Sequence, residues 1–164
     1  MKVKALFSGS FDPITLGHID IVKTASEIFD EVYVVAFNNS EKTKTFTLDE
    51  RKEIMKEALF GIRGIVIDTS EGSVSDYVKE KGIDVIVKGI RSPLDCQYET
   101  EISDVNMMLS SVKTVMIPCS VNHSRVSSSI ARELIRLGKP LCGYLSERTV
   151  KKIDEILAKR PGTC

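Results

Sequence analysis

The sequence has 164 residues, enough for one domain and short for two, and its 42% hydrophobic and 28% charged residues are ordinary globular usage. The 23 basic residues balance the 23 acidic ones, which argues against binding nucleic acid or a membrane surface through bulk charge but allows a local basic site. No apolar run approaches the roughly 20 residues of a membrane span, and no signal-peptide pattern opens the chain. Four scattered cysteines and only two histidines lead us to expect free thiols, a reducing cytoplasm and no structural zinc.

Short runs rich in Val and Ile alternate with helical patterns along the chain. In chain order, the patterns predict a strand over 2–7, a helix over 17–29, a strand over 31–37, a helix over 47–59, a strand over 64–68, a helix over 73–81, a strand over 84–87, a helix over 98–109, a strand over 112–117, and helices over 127–137 and 146–158. Local signals support these helices: Thr47 and Glu50 have capping-box spacing, and Gly138 followed by Pro140 ends the helix that starts at 127.

Continuous apolar strands of this kind are typical of a parallel sheet that is buried on both faces. With helices between them, they predict an α/β fold: a single-domain, Rossmann-like, doubly wound, five-stranded parallel sheet with helices on both faces. The domain should span residues 1–164, with a disordered tail from about residue 159. Because ligands bind beyond the carboxyl ends of the strands in such sheets, the loops to inspect are 8–16, 38–46, 70–74, 88–94 and 118–126.

The first loop is rich in small residues and leads from a buried strand to a helix N-terminus. Backbone N–H groups and the positive end of the helix dipole favour phosphate there. The loop is neither a GxGxxG fingerprint nor a P-loop. His18 lies in the first turn of the helix, where it could face a bound ligand or simply lie on the surface beside a turn. The neighbouring Gly9, Ser10 and Gly17 favour the functional interpretation.

Three later loops also carry groups that suit phosphate. Lys42 lies in a lysine-containing loop that is, by itself, an ordinary solvated loop. Residues 88–91 place two cations on either side of a glycine directly after a strand. Residues 127–129 are three serines that could be a helix N-cap with polar neighbours or a second phosphate cradle. No Ser-His-Asp arrangement is readable, so the pattern indicates positioning and charge stabilisation of phosphates rather than covalent catalysis.

Two parts of the first loop, Gly-Ser-Phe-Asp-Pro at 9–13 and Thr-Leu-Gly-His at 15–18, resemble the signature of the nucleotidyltransferase superfamily with the T/H-x-G-H motif. Later segments resemble one family within it, the bacterial phosphopantetheine adenylyltransferases. Those segments are 46–51, 88–91, Asp95 with Tyr98 and Glu99, Asn106, and 126–129. They fall in the expected order and cover nearly the whole chain.

The resemblance implies a single nucleotidyltransferase domain that joins ATP and 4′-phosphopantetheine, with Mg²⁺, to give dephospho-coenzyme A and pyrophosphate. It implies direct in-line attack of the acceptor phosphate on the α-phosphorus of ATP, with no covalent enzyme intermediate. It also implies a homohexamer, and an active site that dephospho-coenzyme A or coenzyme A can occupy as product or feedback ligand.

The resemblance also implies roles for individual residues, with no protein ligand for the metal. The residues implied for catalysis are His18, Lys42, Arg91 and Ser10. Those implied for ATP binding are Ser10, Phe11, His18, Gly89, Ile90, Arg91, Glu99, His123, Ser124, Arg125, Val126, Ser127, Ser128 and Ser129. Those implied for acceptor binding are Ser10, Lys42, Val74 and Lys88.

The sequence departs from the family pattern in places. Lys88 stands where arginine is frequent, which keeps the charge and loses the bidentate fork. Cys96 and Gln97 could change packing near the ATP pocket, and Arg125 could add an ATP contact.

Two other functions stay open. One is a cytidylyltransferase or nicotinamide-mononucleotide-type transferase of the same superfamily, against which segments 88–91 and 98–99 argue. The other is a non-catalytic nucleotide-binding or flavodoxin-like signalling domain. A receiver-type domain needs clustered acidic residues at the ends of its first strands, and the first loop offers only Asp12.

Overall fold

The computed structural model describes residues 2–38 and 44–160. Its elements are β1 (Lys4–Gly9), α1 (Leu16–Ile28), β2 (Glu31–Phe37), α2 (Leu48–Ala58), β3 (Ile65–Ser70), α3 (Val74–Lys81), β4 (Val85–Ile90), α4 (Pro93–Ser110), β5 (Lys113–Pro118), a short 3₁₀ turn (Val121–His123), α5 (Ser128–Arg136) and α6 (Glu147–Ala158). The strands form one parallel sheet in the order β3-β2-β1-β4-β5. The predicted five-stranded α/β fold is confirmed.

Helices cover both faces of the sheet, because alternate strand residues point to opposite sides. On one face, Phe7 of β1 packs in a core with buried residues of α1, α2, α5 and α6. On the other face, Leu6 packs with Tyr77 and Val78 of α3. Helix α4 lies on this second side against α3, β4 and β5, and none of its residues is buried.

The strand order reverses between β1 and β4, so the chain leaves these two strands in opposite directions and opens a crevice at their carboxyl ends. Strand β4 runs three residues further than the pattern predicted, to Ile90, because it stays paired with β5 as far as Pro118. Lys88 therefore lies in a strand and not in a loop.

Helix α4 begins at Pro93, five residues before the predicted start. Its N-cap is Ser92, whose hydroxyl accepts from the Asp95 amide at 3.2 Å, and Pro93 occupies the first helical position, where proline has no N–H to lose. The predicted loop 88–94 therefore ends at Ser92. The 3₁₀ turn before α5 was also not predicted.

None of the helices within the described residues is long and apolar enough to span a membrane. At the C-terminal end, the Arg160 guanidinium donates to the Thr45 carbonyl and to the Glu50 carboxylate, both at 2.8 Å. The rest of the expected tail, residues 161–164, lies outside the described residues.

Candidate active site

Two adjoining cavities open at the carboxyl ends of β1 and β4, and they share His18 and Arg91. The first encloses about 110 Å³ and is lined by Phe7, Thr15, Gly17, His18, Ile21, Lys88, Gly89, Arg91, Asp95, Glu99, Cys119 and Val126. The second encloses about 220 Å³ and is lined by Ser10, Asp12, His18, Lys44, Arg91, Ser127, Ser128, Ser129 and Arg132. Most of the residues singled out from sequence therefore meet here.

His18 is held in the first turn of α1 with a defined tautomer. The Thr15 backbone N–H donates to His18 Nδ1 at 3.0 Å, so Nδ1 is an acceptor and the ring proton lies on Nε2. The Phe11 ring meets the imidazole edge-on, with centroids 5.2 Å apart. Burial, helped by the Arg91 charge, lowers the pKa of His18 from 6.5 to about 4. At neutral pH, His18 is therefore an uncharged imidazole with an Nε2–H donor.

Two cations at the end of β4 face two carboxylates on one side of α4. Arg91 Nε donates to Asp95 at 3.2 Å, and this hydrogen bond raises the pKa of the guanidinium. Lys88 Nζ lies 3.5 Å from Glu99 Oε2, which is long for a hydrogen bond. Because Asp95 and Glu99 are four residues apart on a helix, they present their side chains on the same face.

Asp12 pins the first loop to the segment before α2. Its fully buried carboxylate accepts from the backbone N–H groups of Thr45 and Phe46, each at 2.9 Å. These hydrogen bonds therefore fix the loop that carries Ser10 to the segment before α2, which lies more than thirty residues further along the chain. Lys42 lies outside the described residues.

Arg51 is a structural cation beneath the site. It is 1% exposed and donates to the carbonyls of Ser10 at 2.9 Å, Phe37 at 3.2 Å and Thr47 at 3.3 Å. Burial lowers the pKa of Arg51, and nearby Asp12 acts in the opposite direction. These bonds satisfy carbonyls of β2, α2 and the first loop together, so Arg51 sets the position of Ser10.

Phe11 supports the site from below. Its backbone has a φ of 43°, and its side chain is 1% exposed and packs against Phe7 and His18. Any contact of Phe11 with a nucleotide must therefore come from its backbone.

The serines at the start of α5 make different hydrogen bonds. The Ser127 hydroxyl accepts from the Ile130 amide at 3.3 Å and is an N-cap. The Ser128 hydroxyl donates to the Pro13 carbonyl at 2.8 Å. Both hydroxyls therefore already make hydrogen bonds within the protein. The groups that these residues present to the cavity most directly are the backbone N–H groups of a helix N-terminus.

Arg132 is a cavity residue that sequence reasoning missed. Its guanidinium donates to the Asp12 carbonyl at 2.8 Å and to the Ser129 hydroxyl at 3.1 Å. The sequence does contain a signal for Arg132, because a residue three positions after Ser129 lies on the same face of the helix.

A wider cleft of about 570 Å³ lies between the start of α2 and the ends of β2 and β3, and it shares Lys44 with the second cavity. It is lined by Asn38, Lys44, Thr45, Phe46, Thr47, Leu48, Asp49, Arg51, Thr69, Ser70 and Glu71. It contains neither His18 nor Arg91, so its size does not make it the better candidate.

Comparison with known proteins shows the family of this chain. The cytidylyltransferase-like family model matches residues 6–134. Phosphopantetheine adenylyltransferase of Symbiobacterium thermophilum is 37% identical over 158 residues, which cover 96% of this chain and 98% of that protein. The Frankia casuarinae protein of the same name is 37% identical over 160 residues, covering 95% and 99%. The chain belongs to the phosphopantetheine adenylyltransferase family.

Solved structures agree with the fold of this family. A putative nicotinate-nucleotide adenylyltransferase from Vibrio parahaemolyticus superposes with a TM-score of 0.70 at 16% identity, covering 94% of this chain and 93% of that one. A lipopolysaccharide core biosynthesis protein from Thermoplasma volcanium gives 0.54 at 24% identity, covering 73% and 98%. At these identities the likeness bears on the fold alone.

The part of the first cavity formed by the end of β4 is closely packed against α1. A Cβ on Gly89 would come within 2.9 Å of the Ile21 side chain, so a larger residue there would push into α1. Ile90 ends β4 beside it. Val126 is buried and lines the cavity, whereas Arg125 is exposed and lines neither cavity.

His123 belongs to a small polar cluster at the outer edge. Its Nδ1 lies 3.1 Å from the Ser120 hydroxyl and 3.7 Å from the Asp20 carboxylate. Because both partners meet the same ring nitrogen, the cluster is not a catalytic triad. The hydroxyl of the next residue, Ser124, donates back to the Val121 carbonyl at 3.0 Å.

The described residues form no protein cage for a metal: within 2–38 and 44–160, no three His, Cys, Asp or Glu side chains are placed to hold one. At the cavities, Asp95 and Glu99 face Arg91 and Lys88, and Asp12 accepts two amides. A Mg²⁺ ion fits this site as a partner of substrate phosphates, which is its usual mode.

Proposed function

We propose that this protein transfers the adenylyl group of ATP to 4′-phosphopantetheine, giving dephospho-coenzyme A. Pyrophosphate is the leaving group. The observation that carries the proposal is the similarity, over nearly the full chain, to two proteins named phosphopantetheine adenylyltransferase. The site supports it, because a neutral imidazole donor, several cations and a helix N-terminus surround cavities that suit a polyphosphate.

In the proposed reaction, an oxygen of the acceptor phosphate attacks the α-phosphorus of ATP in line. A new P–O bond forms as the bond from the α-phosphorus to the oxygen of the β-phosphate breaks. His18 Nε2–H donates to an α-phosphate oxygen, and this bond strengthens as negative charge collects there. Arg91 and Lys42 neutralise phosphate charge, and Ser10 contacts both substrates.

The two substrates occupy neighbouring parts of the crevice in this proposal, and their sites meet at Lys88 and Glu99, which lie 3.5 Å apart. Gly89, Ile90 and Glu99, with Phe11 and the segment 123–129, hold ATP. Lys88 and Val74 hold the acceptor together with Ser10 and Lys42. In support, β4 places Lys88 on the same side of the sheet as Ile86, and Val74 packs against the core that contains Ile86.

Mg²⁺ enters this proposal bound to the ATP phosphates, where it would supply charge neutralisation on the triphosphate. The protein groups that would share those oxygens are the backbone amides at the start of α5 together with the cavity cations, chiefly Arg91 and Arg132.

We further propose a homohexamer in the cytoplasm. In support, α4 and the edge strand β5 carry a largely exposed apolar surface, made of Leu94, Tyr98, Val105, Met107, Met108, Leu109 and Val115. Light scattering should then give about 109 kDa, six times the 18.2 kDa chain. A monomer mass would contradict this part of the proposal. Coenzyme A and dephospho-coenzyme A should both compete with 4′-phosphopantetheine.

The test is pyrophosphate release by the purified protein with Mg²⁺, ATP and 4′-phosphopantetheine. CTP in place of ATP, and nicotinamide mononucleotide in place of the acceptor, should give little product. Faster turnover with CTP or with nicotinamide mononucleotide would instead indicate a cytidylyltransferase or a nicotinamide-mononucleotide-type transferase. ATP binding without pyrophosphate release would indicate a non-catalytic nucleotide-binding domain.

A further inference from the structure

Ser8 lies on the acceptor side of the sheet, near the end of β1. Side chains alternate along a strand, and Leu6 packs with α3 whereas Phe7 packs on the opposite face. Ser8 therefore shares the face of Leu6. The hydroxyl of Ser8 points to the same side of the sheet as Val74, which packs against that core.

Ser8 also lies close to Lys88. The last recorded pair between β1 and β4 is Phe7 with Val87, and Ser8 and Lys88 are the next residues of their strands, on the same face of the sheet. Lys88 Nζ lies 3.5 Å from the Ser8 carbonyl oxygen. Lys88 lines the first cavity and Ser8 does not, so a ligand held at the Lys88 ammonium lies beside Ser8 and meets the Ser8 hydroxyl only by entering between the ends of β1 and β4.

The Ser8 hydroxyl has no hydrogen-bond partner among the described residues, although Ser8 is only 5% exposed. Most buried hydroxyls in native proteins are hydrogen-bonded, so each exception needs an explanation. The neighbouring Glu99 Oε2 is also buried without a hydrogen-bond partner in the described structure. Lys88 Nζ makes only contacts of 3.5 Å with its two recorded partners, the Ser8 carbonyl and Glu99. Three polar groups with unmet hydrogen-bonding capacity thus meet at one place.

We propose that Ser8 is a further acceptor-binding residue, whose hydroxyl donates a hydrogen bond to a phosphate oxygen of 4′-phosphopantetheine held by Lys88. A phosphate monoester offers several acceptor oxygens and a negative charge, which match a hydroxyl donor beside an ammonium. The ligand thereby satisfies the Ser8 hydroxyl and takes over part of the Lys88 charge from Glu99. This assignment rests on the proposed function, since it names a residue for the acceptor of that reaction.

The experiment compares Ser8→Ala with wild type by calorimetric binding of 4′-phosphopantetheine and, separately, of ATP. Loss of a hydrogen bond to a charged group should weaken 4′-phosphopantetheine binding about tenfold or more. The Kd for ATP should stay within about twofold, and the Tm should hold or rise because the variant removes a buried, unpaired hydroxyl.

Thr114→Val is the matched control. The Thr114 hydroxyl is also buried without a partner among the described residues, but it lies on β5, where it is paired in register with Ile86 and not with Lys88. Its removal should affect the Tm in the same direction and leave both dissociation constants unchanged.

Unchanged 4′-phosphopantetheine binding by Ser8→Ala would overturn the assignment. So would a parallel loss for both ligands, or a fall in Tm, since either would mean that Ser8 is structural. If wild-type protein binds no 4′-phosphopantetheine and yields no pyrophosphate with it, the proposed function itself fails, and the role of Ser8 fails with it.

Discussion

Lowering the pH from 7 to 5 should destabilise this protein through His18. The pKa of His18 is about 4 in the folded protein and 6.5 in the reference state. The unfolded chain therefore takes up a proton as the pH falls through 6.5, while the folded protein resists it down to about pH 4. Linkage of this shift gives a loss of about 2 kcal/mol of stability between pH 7 and pH 5.

The His18→Asn variant isolates this effect, because an asparagine oxygen can still accept from the Thr15 N–H and cannot titrate. Urea unfolding of both proteins at pH 7 and pH 5 should show the wild type losing about 2 kcal/mol more than the variant. The chain has only two histidines, so NMR should show one that titrates near pH 4 and vanishes in the variant. Parallel losses in the two proteins, or titration of His18 above pH 6, would refute the reasoning.

Other substitutions test the remaining roles. His18→Ala should lower kcat about a hundredfold or more while the Kd for ATP stays within a few fold; a kcat loss that only tracks ATP binding would contradict a transition-state role. Arg91→Ala and Lys42→Ala should lose most activity without loss of Tm, and near-normal turnover in either would remove that residue from the site. Lys88→Arg should change the KM for 4′-phosphopantetheine by no more than about threefold if only charge matters, and a rise above tenfold would show that the site is shaped for an ammonium.

The parts of the fold that local sequence dictates were predictable. Thr47 and Glu50 do form the expected capping box at the start of α2, with hydrogen bonds of 2.8 and 3.2 Å. Ser73, Ser127 and Ser146 are N-caps, each accepting from an amide three residues on. Such signals need only neighbouring residues, which is why they could be read directly.

The missed features depend on contacts between distant segments. Arg51 looks in sequence like one more charged residue of an amphipathic helix, yet it is buried and bonded to a carbonyl 41 positions away. Sequence alone does not fix the charge of His18, because the helix dipole and a bound phosphate act in opposite directions. The structure shows that His18 is buried, and desolvation disfavours the imidazolium.

Cys96 and Gln97 depart from the family pattern, and their place in the sequence, between Asp95 and Glu99, suggests an effect on the ATP pocket. Helix geometry argues against such an effect. Asp95 and Glu99, four residues apart, face the site cations, so Cys96 and Gln97, one and two positions after Asp95, point elsewhere. Cys96 Sγ lies 4.0 Å from Met116 on β5, and Gln97 Nε2 lies 3.4 Å from Glu101 on the exposed side. Neither lines one of the two site cavities. In the proposed reaction, substrate phosphates compete with Asp95 and Glu99 for Arg91 and Lys88, so we expect this carboxylate pair to be the part of α4 that governs affinity.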